Sequence, residues 1–187
     1  MRKIAFSFAV ALSVFLSTLN LQAASLAGVT LPDGENVGGK TLVLNGMGIR
    51  TKMMVKVYVA GLYLEQKSSD ANGIIKSDAP KQIVMKFLHG ASQSQMSDAF
   101  DESFSDNSPE AKKTMKAQID QLLGALQPIK SGDEMVFTYV PGTGSSMAIN
   151  GQNKVTIADP AFGPVLFSVW FGPKPPNADL KKGMLGQ

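Results

Sequence analysis

Cysteine is absent from the 187 residues, and histidine occurs once. No disulfide, thiol nucleophile or thiolate metal site can form. The one histidine, His89, cannot build a histidine-based metal site. In Leu88-His89-Gly90 it reads as the end of a strand rather than as the base of a Ser-His-Asp triad. No metal and no cofactor is expected. Charge is scarce as well, at 18% of residues, and no basic stripe with interleaved aromatics exists, so a nucleic-acid partner is not expected. Gly142-Thr-Gly144 and Gly46-Met-Gly48 lack the further glycine and lysine that a phosphate loop requires. Neither internal repeats nor low-complexity segments are present. With 44% hydrophobic residues, the chain can build an ordinary core, and its length suits one domain.

The longest hydrophobic run lies at the N-terminus. Met1-Arg2-Lys3 is a basic start, Ile4 to about Leu19 an apolar run, and Leu21-Gln22-Ala23 a small-residue cleavage site. This predicts a signal peptide over residues 1–23, too short and wrongly flanked to be a comfortable membrane span. No cysteine comes after it to carry a lipid. The expected mature domain, 24–187, keeps 16 Lys+Arg against 15 Asp+Glu once Arg2 and Lys3 are removed, a net charge of +1. An exported domain without disulfides must be held by its core. The expected location is periplasmic or secreted, with no stable membrane span after cleavage. Oligomeric state stays open.

Along the mature chain, Lys40 to Asn45 alternates as an edge strand or hairpin leading into a central strand, Val55 to Leu64, whose two faces are both largely apolar. Gly61 within it implies a bulge or a close backbone approach. A short helix near Asn72–Lys76 and a strand at Gln82–Leu88 come next. Ser92 or Ser94 caps a helix from Gln95 to Phe104. Asn107-Ser-Pro-Glu110 opens a second helix, with the apolar stripe Met115, Ile119, Leu122, Leu123 and Leu126. Asp98, Asp101, Glu102 and Asp106 read as a solvated helix face rather than a catalytic pair. Beyond them lie strands at Glu134–Pro141, Ser146–Asn150 and Lys154–Ala158, the last two joined at Asn150-Gly151. A final helix, Ala161 to about Phe171, is stopped by Pro173, Pro175 and Pro176, and the tail to Gln187 is expected to be ordered only in part. Strands, helices, strands and a helix in that order predict an α+β fold.

The stretch Leu44–Glu65 carries the candidate site. Gly46, Gly48 and Arg50 precede the central strand, and a glycine turn there would place Arg50 at the strand's foot. A guanidinium is a permanent cation with a fixed fork of donors, suited to a carboxylate, an enolate or a phenolate. The alternative is a surface arginine whose stem lies over apolar side chains.

Gly46-Met-Gly-Ile-Arg50 followed by Tyr58-Val-Ala-Gly-Leu-Tyr-Leu-Glu65 resembles the chalcone isomerase superfamily, and most of all its bacterial chalcone isomerase-like proteins, which share the short hairpin and an export signal. The likeness extends more weakly from about Val29 to Gly172. It implies an open-faced β-sandwich, a large antiparallel sheet with helices packed on one face, and a ligand cleft between them. In the enzymes the arginine of the glycine motif, a threonine, a helix tyrosine, an asparagine seven residues on and a hydroxyl of the last helix add a phenolate oxygen across an enone. Arg50 matches the arginine and Ser168 the last hydroxyl. Tyr58 stands in place of the threonine, Met96 of the tyrosine and Ser103 of the asparagine.

Those replacements argue against flavanone chemistry, because a methionine can neither hold a water nor polarise a carbonyl. Fatty-acid-binding members use the matching arginine and a nearby tyrosine for a carboxylate, which Arg50 and Tyr58 resemble. The resemblance therefore implies a non-catalytic binding protein for a fatty acid or similar apolar anion, with Arg50, Tyr58, Met96, Ser103 and Ser168 as site residues. The alternative is an isomerase or intramolecular lyase on an unknown enone, with Arg50, Tyr58 and Ser168 as its candidates. N-terminal sequencing of the native protein should begin at Ala24 or Ser25. Intact Met1 recovered from a membrane fraction would overturn the export reading.

Overall fold

The computed structural model describes residues 23–187; the expected leader, apart from Ala23, lies outside them. Strands β1 (Ala24–Leu26) and β2 (Val29–Leu31) form a small separate hairpin. Then come β3 (Gly34–Val37), β4 (Lys40–Lys52), β5 (Val55–Leu64), α1 (Ala71–Lys76), β6 (Lys81–Phe87), α2 (Gln93–Asn107), α3 (Pro109–Thr114), α4 (Lys116–Ala125), β7 (Glu134–Val140), β8 (Gly144–Ile149), β9 (Gln152–Ile157), α5 (Phe162–Phe171) and α6 (Ala178–Met184). β3 to β9 pair in chain order as one seven-stranded antiparallel sheet. The helices pack on one side of it, giving the α+β open-faced sandwich that the resemblance implies.

β5 is the strand that both layers share. Tyr58, Ala60, Leu62 and Leu64 enter the main core with residues of α2, α4, α5 and α6. Tyr63, on the other face, packs with Leu31, Leu42, Leu44 and Val84 under the β1–β2 hairpin. Every residue from Val59 to Leu64 is buried, as the two-sided apolar pattern predicts. A side chain on Gly61 would have to displace the methyl ends of Leu31 and Leu44, which lie against it.

β4 departs from expectation. It is one strand of 13 residues rather than an edge strand and a turn, so Gly46 and Gly48 are strand residues. Their lack of a side chain serves α6 instead. A Cβ on Gly48 would collide with the Leu180 carbonyl, and one on Gly46 with the Gly183 carbonyl. The C-terminal tail is accordingly ordered. Asn177 caps α6 by accepting from the Leu180 amide at 3.0 Å, and Leu180 and Met184 are buried in the main core. Asn45 sits where β4 slips register against β5. Its Nδ2 donates to the Met184 and Ser68 carbonyls at 2.8 and 2.9 Å, tying the end of α6 to the strand.

Two other boundaries differ. The helix expected over Glu110–Leu126 is two, because Met115 leaves helical geometry (φ −119°, ψ 31°) between α3 and α4. α3 fully buries no residue; Ala111 and Met115 only flank the core, and the buried stripe begins with Ile119 in α4. α2 starts earlier than expected, with Ser92 and Gln95 forming a reciprocal capping box at 3.2 and 2.9 Å.

Among the described residues, four tight turns carry positive φ at both central residues: Ala27-Gly28, Gly38-Gly39, Met53-Met54 and Asn150-Gly151. This is the pattern that matches the twist of paired strands. Three of them place glycine second. The β4–β5 turn places Met54 there (φ 66°) after Met53 (φ 48°), although left-handed backbone costs a side-chain-bearing residue roughly 1–2 kcal/mol.

Lys81, at the start of β6, is fully buried. Its ammonium donates to the Ile74 and Ser77 carbonyls at 2.9 and 2.6 Å and to the Ser77 hydroxyl at 3.1 Å, closing the C-terminus of α1. The rings of Tyr139 and Phe167 lie 5.0 and 5.3 Å from it. Burial lowers its pKa from 10.5 to about 8, against the opposing pull of Asp78. Between those values the unfolded chain binds more protons than the folded one, so stability rises with pH. Thermal melts from pH 7 to 10 should show the wild type gaining stability relative to Lys81→Met. A constant difference across that range would show that burial does not disfavour the charged amine.

Candidate functional site

Arg50 and Tyr58 are direct cross-strand partners, so their side chains leave the same face of the sheet side by side. Gly46, Gly48 and Arg50 share that face by their alternation. α6 covers the two glycines, and Arg50 is the next residue of β4 on this side that carries a side chain. Its guanidinium carbon lies 5.8 Å from the centre of the Tyr58 ring. Both residues line a cavity of about 190 Å³ between the sheet and helices α2 and α5.

The cavity walls are mostly apolar: Met85 and Phe87 from β6, Met96, Ala99 and Phe100 from α2, Val169 and Trp170 from α5. Met96, Ala99, Phe100 and Ser103 keep the i, i+3, i+4, i+7 spacing that brings them to one helix face. The rim carries exposed Lys52, His89 and Gln95.

Polar groups converge within this apolar shell. Arg50 Nε and Trp170 Nε1 are both buried without a hydrogen-bond partner. No side chain among the described residues forms a salt bridge with Arg50. Buried donors are normally satisfied, and one left unpaired costs about 1–3 kcal/mol. The Tyr58 hydroxyl stands beside both groups. Burial raises its pKa; the Arg50 charge and the neighbouring N–H groups of Trp170 and Arg50 act more weakly in the opposite direction. The site is therefore a set of donors around a permanent cation, with one phenol held in its protonated form.

Of the residues read from the sequence, Arg50, Tyr58, Met96 and Ser103 are brought together in this cavity, and Ser168 is not. Ser168 Oγ donates to the Val165 carbonyl at 2.7 Å and shares a 2.8 Å hydrogen bond with Ser108 at the α2–α3 junction. Two steps along the helix lead from Ser168 to Trp170, about 200° of rotation, and of the two only Trp170 lines the cavity. Sequence reasoning missed the apolar walls from β6 and α5 and, among lining residues with a buried polar group, Trp170. A buried tryptophan needs a partner for its N–H, and the only tryptophan of the chain in an apolar helix is the signal that points to it. Among the described residues no three His, Asp or Glu side chains gather as a metal site, and no helix is long and apolar enough to cross a membrane.

The sequence matches the family model described as chalcone isomerase-like over residues 23–186, and the chain belongs to that family. No curated protein matches it. Among solved structures, the chain is similar to a fatty-acid binding protein of Arabidopsis thaliana, with a TM-score of 0.68 and 13% sequence identity. The alignment covers 88% of this chain and 96% of that one. At that identity the likeness shows a shared fold.

The chain's three tyrosines all have raised pKa values. Burial raises Tyr58 and Tyr63, while Tyr139, donating to Asp78 at 2.6 Å, is pushed up to about 12. Titration followed by tyrosinate absorbance should therefore show no ionisation centred at pH 10 while the fold holds. A tyrosine titrating there would place its hydroxyl in water.

Proposed function

We propose that this protein binds, without transforming it, a fatty acid or similar apolar anion whose carboxylate lies against Arg50, Tyr58 and Trp170. The observation that carries this reading is the convergence of the Arg50 and Trp170 N–H groups, both buried without a hydrogen bond of normal geometry, on the Tyr58 hydroxyl in an otherwise apolar cavity. A carboxylate supplies two acceptor oxygens and the compensating charge, and hydrogen bonds to charged groups are the strong ones. The fatty-acid binding protein that shares the fold adds support. Size narrows the ligand. A dry cavity of about 150 Å³ takes a benzene ring, while pockets for drug-sized ligands begin near 300 Å³. At about 190 Å³ the space suits a carboxylate on a compact apolar body, and a longer chain would leave through the mouth between Lys52, His89 and Gln95.

Met96 and Ser103, at the positions that the resemblance equates with the enzymes' tyrosine and asparagine, favour binding over isomerase chemistry. Placement of Ser168 outside the cavity favours it too. We propose further that the protein is exported, which rests on the leader-like residues 1–23.

Calorimetry with medium-chain acids and their methyl esters tests the reading. Arg50→Ala should weaken acid binding about tenfold to a hundredfold, the equivalent of roughly 1.5–3 kcal/mol, and leave the ester nearly unchanged. Trp170→Phe, which keeps the ring packing and removes Nε1–H, should likewise cost the acid more than the ester. Arg50→Lys should recover only part, since an ammonium lacks the planar fork. The wild type should leave a chalcone to its spontaneous rate of cyclisation. Equal losses for acid and ester would remove the clamp, and enzymatic cyclisation abolished by Arg50→Ala would replace binding with catalysis.

A further inference from the structure

The tip of the β4–β5 hairpin is the part of the described chain whose side chains the fold leaves unused. Met53 and Met54 are 89% and 93% exposed and Val55 43%, while Thr51, Lys52 and Lys56 around them are exposed as well. β3 pairs with β4 only as far as Val43, and β6 with β5 only from Tyr58 onward. The last residues of the hairpin therefore stand out from the sheet as a two-stranded ribbon.

Composition at the tip opposes what its backbone asks for. Both turn residues take positive φ, and the three other turns of this kind use glycine in the second position. Here two long apolar side chains occupy the turn in spite of the strain. They touch no other element, so the fold gains nothing from them. Lys52 and Lys56 flank them on the two strands, offset by the register Lys52↔Val55 and Thr51↔Lys56.

We propose that this hairpin tip docks the protein onto a lipid bilayer, with Met53, Met54 and Val55 entering the acyl boundary and Lys52 and Lys56 meeting anionic headgroups. A convex tip of unbranched, adaptable methionines suits a fluid apolar phase, which needs no matching concave surface. Cations at the edge of an apolar wedge match the negative potential of an anionic leaflet. The acidic residues of α2 limit this attraction. Asp98, Glu102 and Asp106 line a second cavity of about 400 Å³ with Arg50 and Lys52, so the charge contribution rests on the two tip lysines. Lys52 also borders the cavity, so docking turns the cavity mouth toward the bilayer. The inference goes beyond ligand binding and stands without it.

Vesicle flotation of the purified protein tests it, with phosphatidylethanolamine–phosphatidylglycerol vesicles compared against neutral phosphatidylcholine. Met53→Asn with Met54→Gly supplies the residues this turn favours and removes the apolar tip. It should keep or raise the melting temperature while lowering vesicle partitioning by about a hundredfold or more. Lys52→Ser with Lys56→Ser should lower partitioning on anionic vesicles alone, by about fivefold per lysine. Since the chain has no cysteine, an environment-sensitive dye on Met54→Cys reports depth. Its emission should shift to the blue with vesicles, and the same dye on Thr143→Cys, in the turn at the opposite end of the sheet, should not shift. Unchanged flotation of the Asn-Gly variant, or no flotation of the parent, overturns the proposal. So does self-association of the parent that the Asn-Gly variant abolishes, if vesicles bind neither.

Discussion

Along the helix-facing side of β4, two residues lack side chains, and α6 settles there until its carbonyls press on the strand backbone. Gly183 makes the contact mutual, since a methyl group on it would collide with the Met47 carbonyl. Three glycines thus set how closely helix and sheet approach. That distance also positions Arg50. As the next side chain along the same face, it emerges at the edge of the contact instead of beneath it. Had a larger residue held α6 away, the cleft would have continued under the helix and the guanidinium would have no defined end to stand at. A small steric allowance places the charge, and the charge gives the cavity its polarity.

Proton transfer is most efficient from a group that changes protonation near neutral pH within reach of the substrate. Within the cavity Arg50 keeps its charge, Trp170 donates only, and burial holds the Tyr58 phenol protonated. The imidazole of His89 lies on the exposed rim. On the reading proposed above, such an arrangement would hold an anion that arrives already ionised, equally throughout its stay, and uniform stabilisation of that kind does not raise kcat.

How much of this was legible in the sequence depended on which physical signal each residue emits. β5 was readable because apolar residues on both parities of a strand have one simple meaning. The turn at Asn150-Gly151 was readable because few other residues take that conformation without strain. Ser92 and Ser94 were both readable as the cap, and the reciprocal partner Gln95 decides for Ser92. Gly46 and Gly48 were visible but misassigned, since a missing side chain looks the same whether it permits a turn or makes room for a neighbour. α6 was hidden because Leu180 and Met184 are the two buried anchors of a polar segment that lies beyond three prolines. α5 is apolar at nearly every position, so periodicity could not say which side meets the cavity. That ambiguity left Ser168 in the candidate set and Trp170 out of it.

The burial of Lys81 has a kinetic side. Acylating reagents attack the neutral form of an amine, and a lysine with its pKa near 8 holds more of that form at neutral pH than an ordinary surface lysine does. Yet the amine is closed off between α1, β6 and two aromatic rings, so no reagent touches it in the intact fold. At reagent concentrations where acylation outpaces reclosing, the rate at which Lys81 becomes modified is therefore the rate at which α1 lifts away from the sheet: a buried amine keeping time for the opening of one corner of the molecule.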